Sequence, residues 1–204
     1  MKQDWQNAIK ILINGGIGVI PTDTLYGIVG SAFSKKAIER IYKIKNRDKS
    51  KPLIVLISSA NQLKSFNIKG DFTEIFQPKV SILLGCKSLK FKYIHRGTGE
   101  IAFRLISRRN KNLHSLINKV GPLVAPSANR ESDKPAETIA EAKKYFYPVR
   151  GREGSQRVSS SNGVGENVDL YINAGKKIGE PSTLIRIKNG DIEILRQGRV
   201  KIKK

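Results

Sequence analysis

Apolar positions follow two rhythms along this chain, one of helices and one of strands. In residues 5–13 they fit a short amphipathic helix, with Asp4 placed to cap it and Gly15-Gly16 to close it. Ser34 is placed to cap a second helix, in which Ala37, Ile38, Ile41 and Tyr42 share one face and which frays near Asn46. Residues 110–120 repeat the pattern through Leu113, Leu116, Ile117 and Val120, and Gly121-Pro122 stops it. A further helix is expected over 138–146, with weaker helical patterns at 60–66 and 72–77. Strands are expected at IGVI before Pro21, at PLIVLI (52–57), KVSILLG (79–85), FKYI (91–94) and EIAFRLI (100–106). LVAP breaks at Pro126, VDLYI covers 168–172, and TLIRIK and DIEILR flank Asn189-Gly190, a type I′ hairpin signal. Helices and strands alternate early and a hairpin closes the chain, so the fold class is α/β with a mixed sheet.

Strand and helix signals fill the 204 residues without a linker, so one domain over 1–204 is expected. Residues 148–166, rich in Gly, Ser and Arg, read as a mobile loop at the mouth of a site, and 200–204 as a solvated basic tail. No apolar run approaches the roughly 20 residues of a membrane helix, and the N-terminus lacks a signal-peptide pattern. Cys86 is the only cysteine, which excludes an intrachain disulfide and fits a reducing cytoplasm. Lys and Arg number 38 against 17 Asp and Glu, a net charge of +21 that favours polyanionic partners: nucleotide phosphates, nucleic acid or an anionic membrane surface. A solvated lysine-rich surface accounts for the same number, so charge alone names no function.

Three segments carry candidate chemistry. After Pro21, Thr22, Asp23 and Thr24 are expected on an exposed turn, where small hydroxyls and backbone groups can bind a polar ligand. KNRDKSKPL sets Lys45, Arg47, Lys49 and Lys51 between a helix end and a buried strand. They complement the helix dipole there, and equally suit a triphosphate, with Arg47 able to fork onto phosphate oxygens. VAPSANRESDKPAET presents Ser127 and Asn129 where Pro126 ends a strand, as ligand donors or as ordinary turn residues. Lys45 and Arg47 cannot share a regular helical face, so they converge only if the helix has opened, with Lys51 joining from the strand side. Other chemistries lack their residues. GxxxxGK[ST] and a strand-linked GxGxxG are absent, as is a G-x-S-x-G elbow, and His95, His114 and Cys86 make no convincing zinc set.

The order PTDTLYG, KNRDKSKPLIVLI, AFR, PLVAPSAN, GEPSTLIRI and ILRQG resembles the YrdC/TsaC threonylcarbamoyl-adenylate synthase family over roughly residues 15–200. That resemblance implies a twisted mixed sheet with helices around a concave, positively charged cavity. It implies condensation of ATP, L-threonine and bicarbonate into threonylcarbamoyl-AMP and pyrophosphate, for modification of tRNA. On the family's motifs, Lys45 and Arg47 would be catalytic and, with Lys51, Ser127, Asn129, Ser182 and Arg196, bind ATP; Thr24 and Arg104 would bind threonine. Mg2+ would arrive with ATP, without a protein metal site. The short form would work with separate proteins that transfer the threonylcarbamoyl group, and tRNA or double-stranded RNA is admitted as a direct partner. Many members have Ser-Gly where this chain has Glu131-Ser132, and a Trp-Pro-Gly-Pro-like turn where it has Phe76-Gln77-Pro78-Lys79. The rival reading is a non-catalytic RNA-binding module on the same fold; Thr24 and Arg104 would be superfluous to it.

Overall fold

The computed structural model describes residues 2–70, 72, 75–146, 167–188 and 191–202. The first helix, α1 (Lys2–Ile13), begins earlier than the cap at Asp4 implied, with Asp4 inside its first turn, and it buries Ala8 and Leu12. The strand β1 (Ile17–Pro21) follows and is wholly buried. It turns directly into β2 (Tyr26–Ser31), pairing antiparallel from Ile17↔Gly30 to Pro21↔Tyr26. The sequence reading had no strand at β2, whose two glycines argue against one locally. Tertiary packing decides otherwise: a Cβ on Gly30 would stand 3.1 Å from the Ala37 Cβ, so the glycine lets a helix lie close on the strand.

That helix is α2 (Lys35–Lys45), and the Ser34 hydroxyl accepts the Ala37 N–H at 3.2 Å, as its cap position predicts. Asn46, at φ 49°, ends it in the left-handed conformation that asparagine tolerates. Next come β3 (Ile54–Ile57), a 3-10 helix over Ala60–Phe66, and β4 (Val80–Gly85). The helix expected at 72–77 does not form in the described residues of that stretch. The strand expected at 91–94 is also not there. Residues Leu89–Phe91 form a 3-10 turn running into the short helix α3 (Lys92–His95). Phe91 and Ile94, three apart, are the pair that must be buried, and helical geometry alone puts both on one side. Phe91 packs on Phe66 at a ring separation of 4.7 Å.

The rest is β5 (Glu100–Leu105), α4 (Lys111–Val120), β6 (Leu123–Val124), α5 (Ile139–Phe146), β7 (Leu170–Tyr171), β8 (Thr183–Lys188) and β9 (Asp191–Arg196). The nine strands form one sheet in the order β7-β1-β2-β6-β3-β5-β4-β8-β9. It is mixed: β3 runs parallel to β5 and β4 to β8, while β4–β5 and β8–β9 are antiparallel. Both faces are covered, which explains the continuous apolar runs. One core gathers Val19, Ile28, Val55 and Phe103 against α2 and α3; the other gathers Ile20, Val29, Leu56 and Leu123 against α1 and α4. Of the tail expected to be solvated, the described residues 200–202 are held on the protein. Val200 and Ile202 pack on the core, and the Val200 carbonyl accepts the Thr183 hydroxyl at 2.5 Å. The loop expected at 148–166 and the Asn189-Gly190 turn lie outside the described residues.

Candidate active site

Six stretches of the chain meet at one cavity of about 120 Å³. The β1–β2 turn supplies Thr24, the segment after α2 supplies Arg47, and β5 supplies Arg104. Ser127 comes from beyond β6, Ser182 from just before β8, and Arg196 from the end of β9. Past Pro126 the chain still follows β2. The Pro126 carbonyl accepts the Ile28 N–H at 3.0 Å, and the Ala128 N–H reaches the Tyr26 carbonyl at 2.9 Å. Ser127 lies opposite Gly27 in that pairing and lines the cavity. The turn expected to be exposed is in fact enclosed: Thr22 is 3% exposed, and its hydroxyl donates to the Leu25 carbonyl at 2.6 Å.

Arginine dominates the lining. Arg104 is 4% exposed, with its Nη2 3.1 Å from Asp23 Oδ1. The pair lacks hydrogen-bond geometry, so Arg104 Nε and Asp23 Oδ1 are both buried without a hydrogen-bond partner. Burial pushes the Arg104 pKa down, against the pull of Asp23. Arg196 donates to the Ser182 carbonyl at 2.9 Å; burial and then repulsion from Arg104 lower its pKa too. Arg47 donates from Nη2 to the Pro52 carbonyl at 3.0 Å and leaves its buried Nε without a partner. Buried donors without acceptors are costly and uncommon in folded proteins. Three guanidiniums at one small cavity, two with an unmatched Nε, mark a place built for an anion.

The remaining expected residues sit differently. Lys45, 2% exposed, lies behind the cavity wall. Its ammonium donates to the Ser127 carbonyl at 2.6 Å and to the Asn129 carbonyl, with Asn129 Oδ1 at 3.4 Å. Asn129 is also turned inward. Its amide donates to the carbonyls of Arg130 and Asp133 at 2.8 and 2.7 Å, and its Oδ1 accepts the Ser127 hydroxyl at 2.5 Å. Lys45 and Asn129 therefore shape the loop that carries Ser127. Lys51 does not join Arg47 as expected: its ammonium pairs with Glu131 Oε1 at 2.5 Å. The other Glu131 oxygen accepts the Asp48 N–H, and the Glu131 N–H reaches the Lys45 carbonyl, so this carboxylate ties the two loops together. The Lys51 and Asp48 contacts hold its pKa below the usual carboxylate value. The helix does open at Asn46, as the Lys45–Arg47 spacing required, but the two side chains then part, one inward and one to the cavity.

Asp23 and Glu131 were not assigned roles from sequence. An acid between two threonines, and an acid after Ser-Ala-Asn-Arg, are the only signals, and neither names its partner.

Burial, followed by repulsion from Arg47, brings the Lys45 pKa down to about 7, against the pull of Glu131 and Asp133. The unfolded chain then binds the proton more tightly than the folded one between that value and the ordinary lysine range. Stability arising from Lys45 therefore rises with pH above about 7, by up to about 1.4 kcal/mol per unit. Urea unfolding of wild type and Lys45→Met at pH 7 and 9 should show the wild type gaining on the variant. A difference independent of pH would mean that the carbonyl acceptors keep the ammonium charged.

Gly198 secures the wall opposite. A Cβ there would collide with the Pro181 carbonyl oxygen and come within 2.7 Å of the Ser182 carbonyl carbon. Gly198→Ala must push Pro181 and Ser182 away from β9, at a cost of about 1–3 kcal/mol. A melting temperature several degrees lower is expected, and an unchanged one would show that the wall yields freely.

The family model Sua5_yciO_yrdC, described as "Telomere recombination", matches residues 10–198. The chain belongs to the Sua5/YciO/YrdC family. A relative from Methanocaldococcus jannaschii is 28% identical over 198 residues, spanning 96% of this chain and 86% of its own. A threonylcarbamoyl-AMP synthase from Moraxella catarrhalis is 29% identical over 152 residues, spanning 65% of this chain and 74% of its own. Among solved structures, Sua5 from P. abyssi complexed with L-threonine superposes with a TM-score of 0.79 at 23% identity, over 97% of this chain and 55% of that one. The Sua5/YciO/YrdC chain described here thus shares the twisted α/β fold of Sua5 while spanning little more than half its length. Among its described residues no helix is long and apolar enough to cross a membrane.

Proposed function

We propose that this chain is an L-threonylcarbamoyladenylate synthase, a nucleotidyltransferase that uses ATP, L-threonine and bicarbonate. The observation that carries the reading is the meeting of Arg47, Arg104 and Arg196 with the hydroxyls of Thr24, Ser127 and Ser182 at one cavity. The threonine amine forms a C–N bond with the bicarbonate carbon as water leaves, giving a carbamate. A carbamate oxygen then attacks the α-phosphorus, and the bond to the bridging oxygen breaks with its electron pair leaving on pyrophosphate. Negative charge gathers at phosphorus, so fixed cations and donors serve the reaction better than a base does.

In this scheme Arg104 takes the threonine carboxylate and Thr24 fixes the same substrate. Arg47 and Ser127 hold phosphate oxygens, with Ser182 and Arg196 bordering the nucleotide. Lys45 and Asn129 act at one remove, by setting the Ser127 loop. Lys51 reaches phosphate only by exchanging Glu131 for it. The lining offers guanidinium and hydroxyl groups, and its nearby carboxylate Asp23 is engaged with Arg104. That donor set fits a magnesium ion carried on the phosphate oxygens of ATP itself. The product passes in the cytoplasm to separate transfer proteins that act on tRNA. The net charge of +21 adds a salt-sensitive attraction to tRNA itself.

Mass spectrometry of the product formed from ATP, threonine and bicarbonate tests the reading. Threonylcarbamoyl-AMP should appear only when all three are present. Pyrophosphate release that persists without threonine would sink it.

A further inference from the structure

Thr22 lines both the inner cavity and a second, larger cleft of about 930 Å³. At about 120 Å³ the inner cavity is smaller than the usual 300–1,000 Å³ of a pocket for a small organic ligand, so a nucleotide must extend beyond it. The lining of the cleft is strongly one-sided: Lys79, Arg109, Lys111 and Lys177 against the single acid Asp23, which already faces Arg104. No carboxylate among the described residues forms an ion pair with any of these four cations. Lys79 and Lys177 are half-buried, and Lys177 has its pKa lowered by burial and by Lys79, against the pull of Asp23. Two half-buried cations at one cleft repel each other, with Asp23 the single carboxylate in its described lining, and an anion between them removes the penalty.

The backbone adds to this field. Asn110, Lys111 and Asn112 bring the start of α4 to the cleft, and the Asn110 side chain makes no capping hydrogen bond there. The N–H groups of that first turn carry the positive end of the helix dipole. Lys79 stands at φ 62°, a left-handed conformation unfavourable for a residue with a Cβ. Its carbonyl accepts the Thr183 N–H at 3.2 Å, which anchors it beside β8 and holds its side chain at the cleft.

We propose that this outer cleft is a diphosphate-binding site, holding the pyrophosphate group on its way out after it leaves the nucleotide. The source of the diphosphate rests on the adenylation reading above; the site itself does not. An RNA backbone presents the same phosphate chemistry. The half-burial of Lys79 and Lys177, and the shared lining residue Thr22 that sets the cleft next to the inner cavity, favour a small anion.

The test is calorimetric titration of the whole chain with inorganic pyrophosphate alone, for wild type, Arg47→Ala and the double variant Lys79→Asn/Lys177→Gln. Asparagine is chosen because it accepts the left-handed backbone at position 79. Binding to the double variant should be weaker by about ten- to a hundred-fold, as expected for two lost charge-assisted contacts, with the melting temperature kept. Arg47→Ala should retain most of the affinity, and pyrophosphate should inhibit adenylate formation less in the double variant. Equal binding by wild type and double variant would overturn the proposal, as would binding of a short RNA duplex through Lys79 and Lys177 with none of pyrophosphate. If pyrophosphate binds as described but no threonine-dependent adenylate forms, the proposed activity fails and the site stands. If adenylate forms and the double variant binds pyrophosphate normally, the site fails and the activity stands.

Discussion

Arg47→Ala should abolish most threonine-dependent pyrophosphate release while the protein stays folded. The side chain makes one hydrogen bond, to the Pro52 carbonyl, and is otherwise aimed at the cavity with its Nε unmatched. Losing that bond costs about 1 kcal/mol, which in a chain of this size lowers the melting temperature by about 2–4 °C. Losing a preorganised donor to the developing charge costs far more in rate, about a hundred- to a thousand-fold. Arg47→Lys should recover little, because a point charge does not reproduce the planar fork and cannot both keep Pro52 and chelate phosphate. Pyrophosphate release and thermal melting of both variants decide the matter. A fully active Arg47→Ala would remove Arg47 from the site.

The second large effect belongs to Arg104, where the obvious variant misleads. Arg104→Ala strands Asp23, whose side chain is 13% exposed, and breaking a buried pair from one side costs about 3–5 kcal/mol. The informative variant is Arg104→Met with Asp23→Asn, which removes both charges. Its threonine KM should rise by about ten- to a hundred-fold, the worth of a charge-assisted carboxylate contact, with the ATP KM little changed. An equal rise in both would mean that Arg104 and Arg196 serve one shared anion.

Local chemistry made much of this protein legible in its sequence. Ser34 caps α2 because a serine hydroxyl can reach the third N–H of a helix wherever that helix packs. Pro21 and Pro126 disturb strands because they lack a donor, and the polar turns after them are where the cavity lies. Asn46 opens the helix before Arg47 because asparagine accepts a positive φ. The two-residue spacing of Lys45 and Arg47 required the helix to open if they were to converge; it opens at Asn46, yet Lys45 turns inward and only Arg47 reaches the cavity. The family motifs, read in order, named the fold that the comparisons show.

The tertiary structure alone decided which of these side chains reach the cavity. Lys45 is buried because the Ser127–Asn129 loop, more than 80 residues away, covers it with carbonyl oxygens. Lys51 is drawn aside by Glu131, also 80 residues distant, and Arg104 on β5 meets Asp23 from the β1–β2 turn. The strand β2 exists because α2 lies on Gly30, and 91–94 is helical because Phe91 and Ile94 must both enter the same core. A local pattern carries the propensity and period of a segment; the partners of a charge depend on how the sheet orders its strands. That order sets Arg47, Arg104 and Arg196 around one cavity, where the repulsion between Arg104 and Arg196 and the unmatched Nε of Arg47 and Arg104 create the demand for an anion.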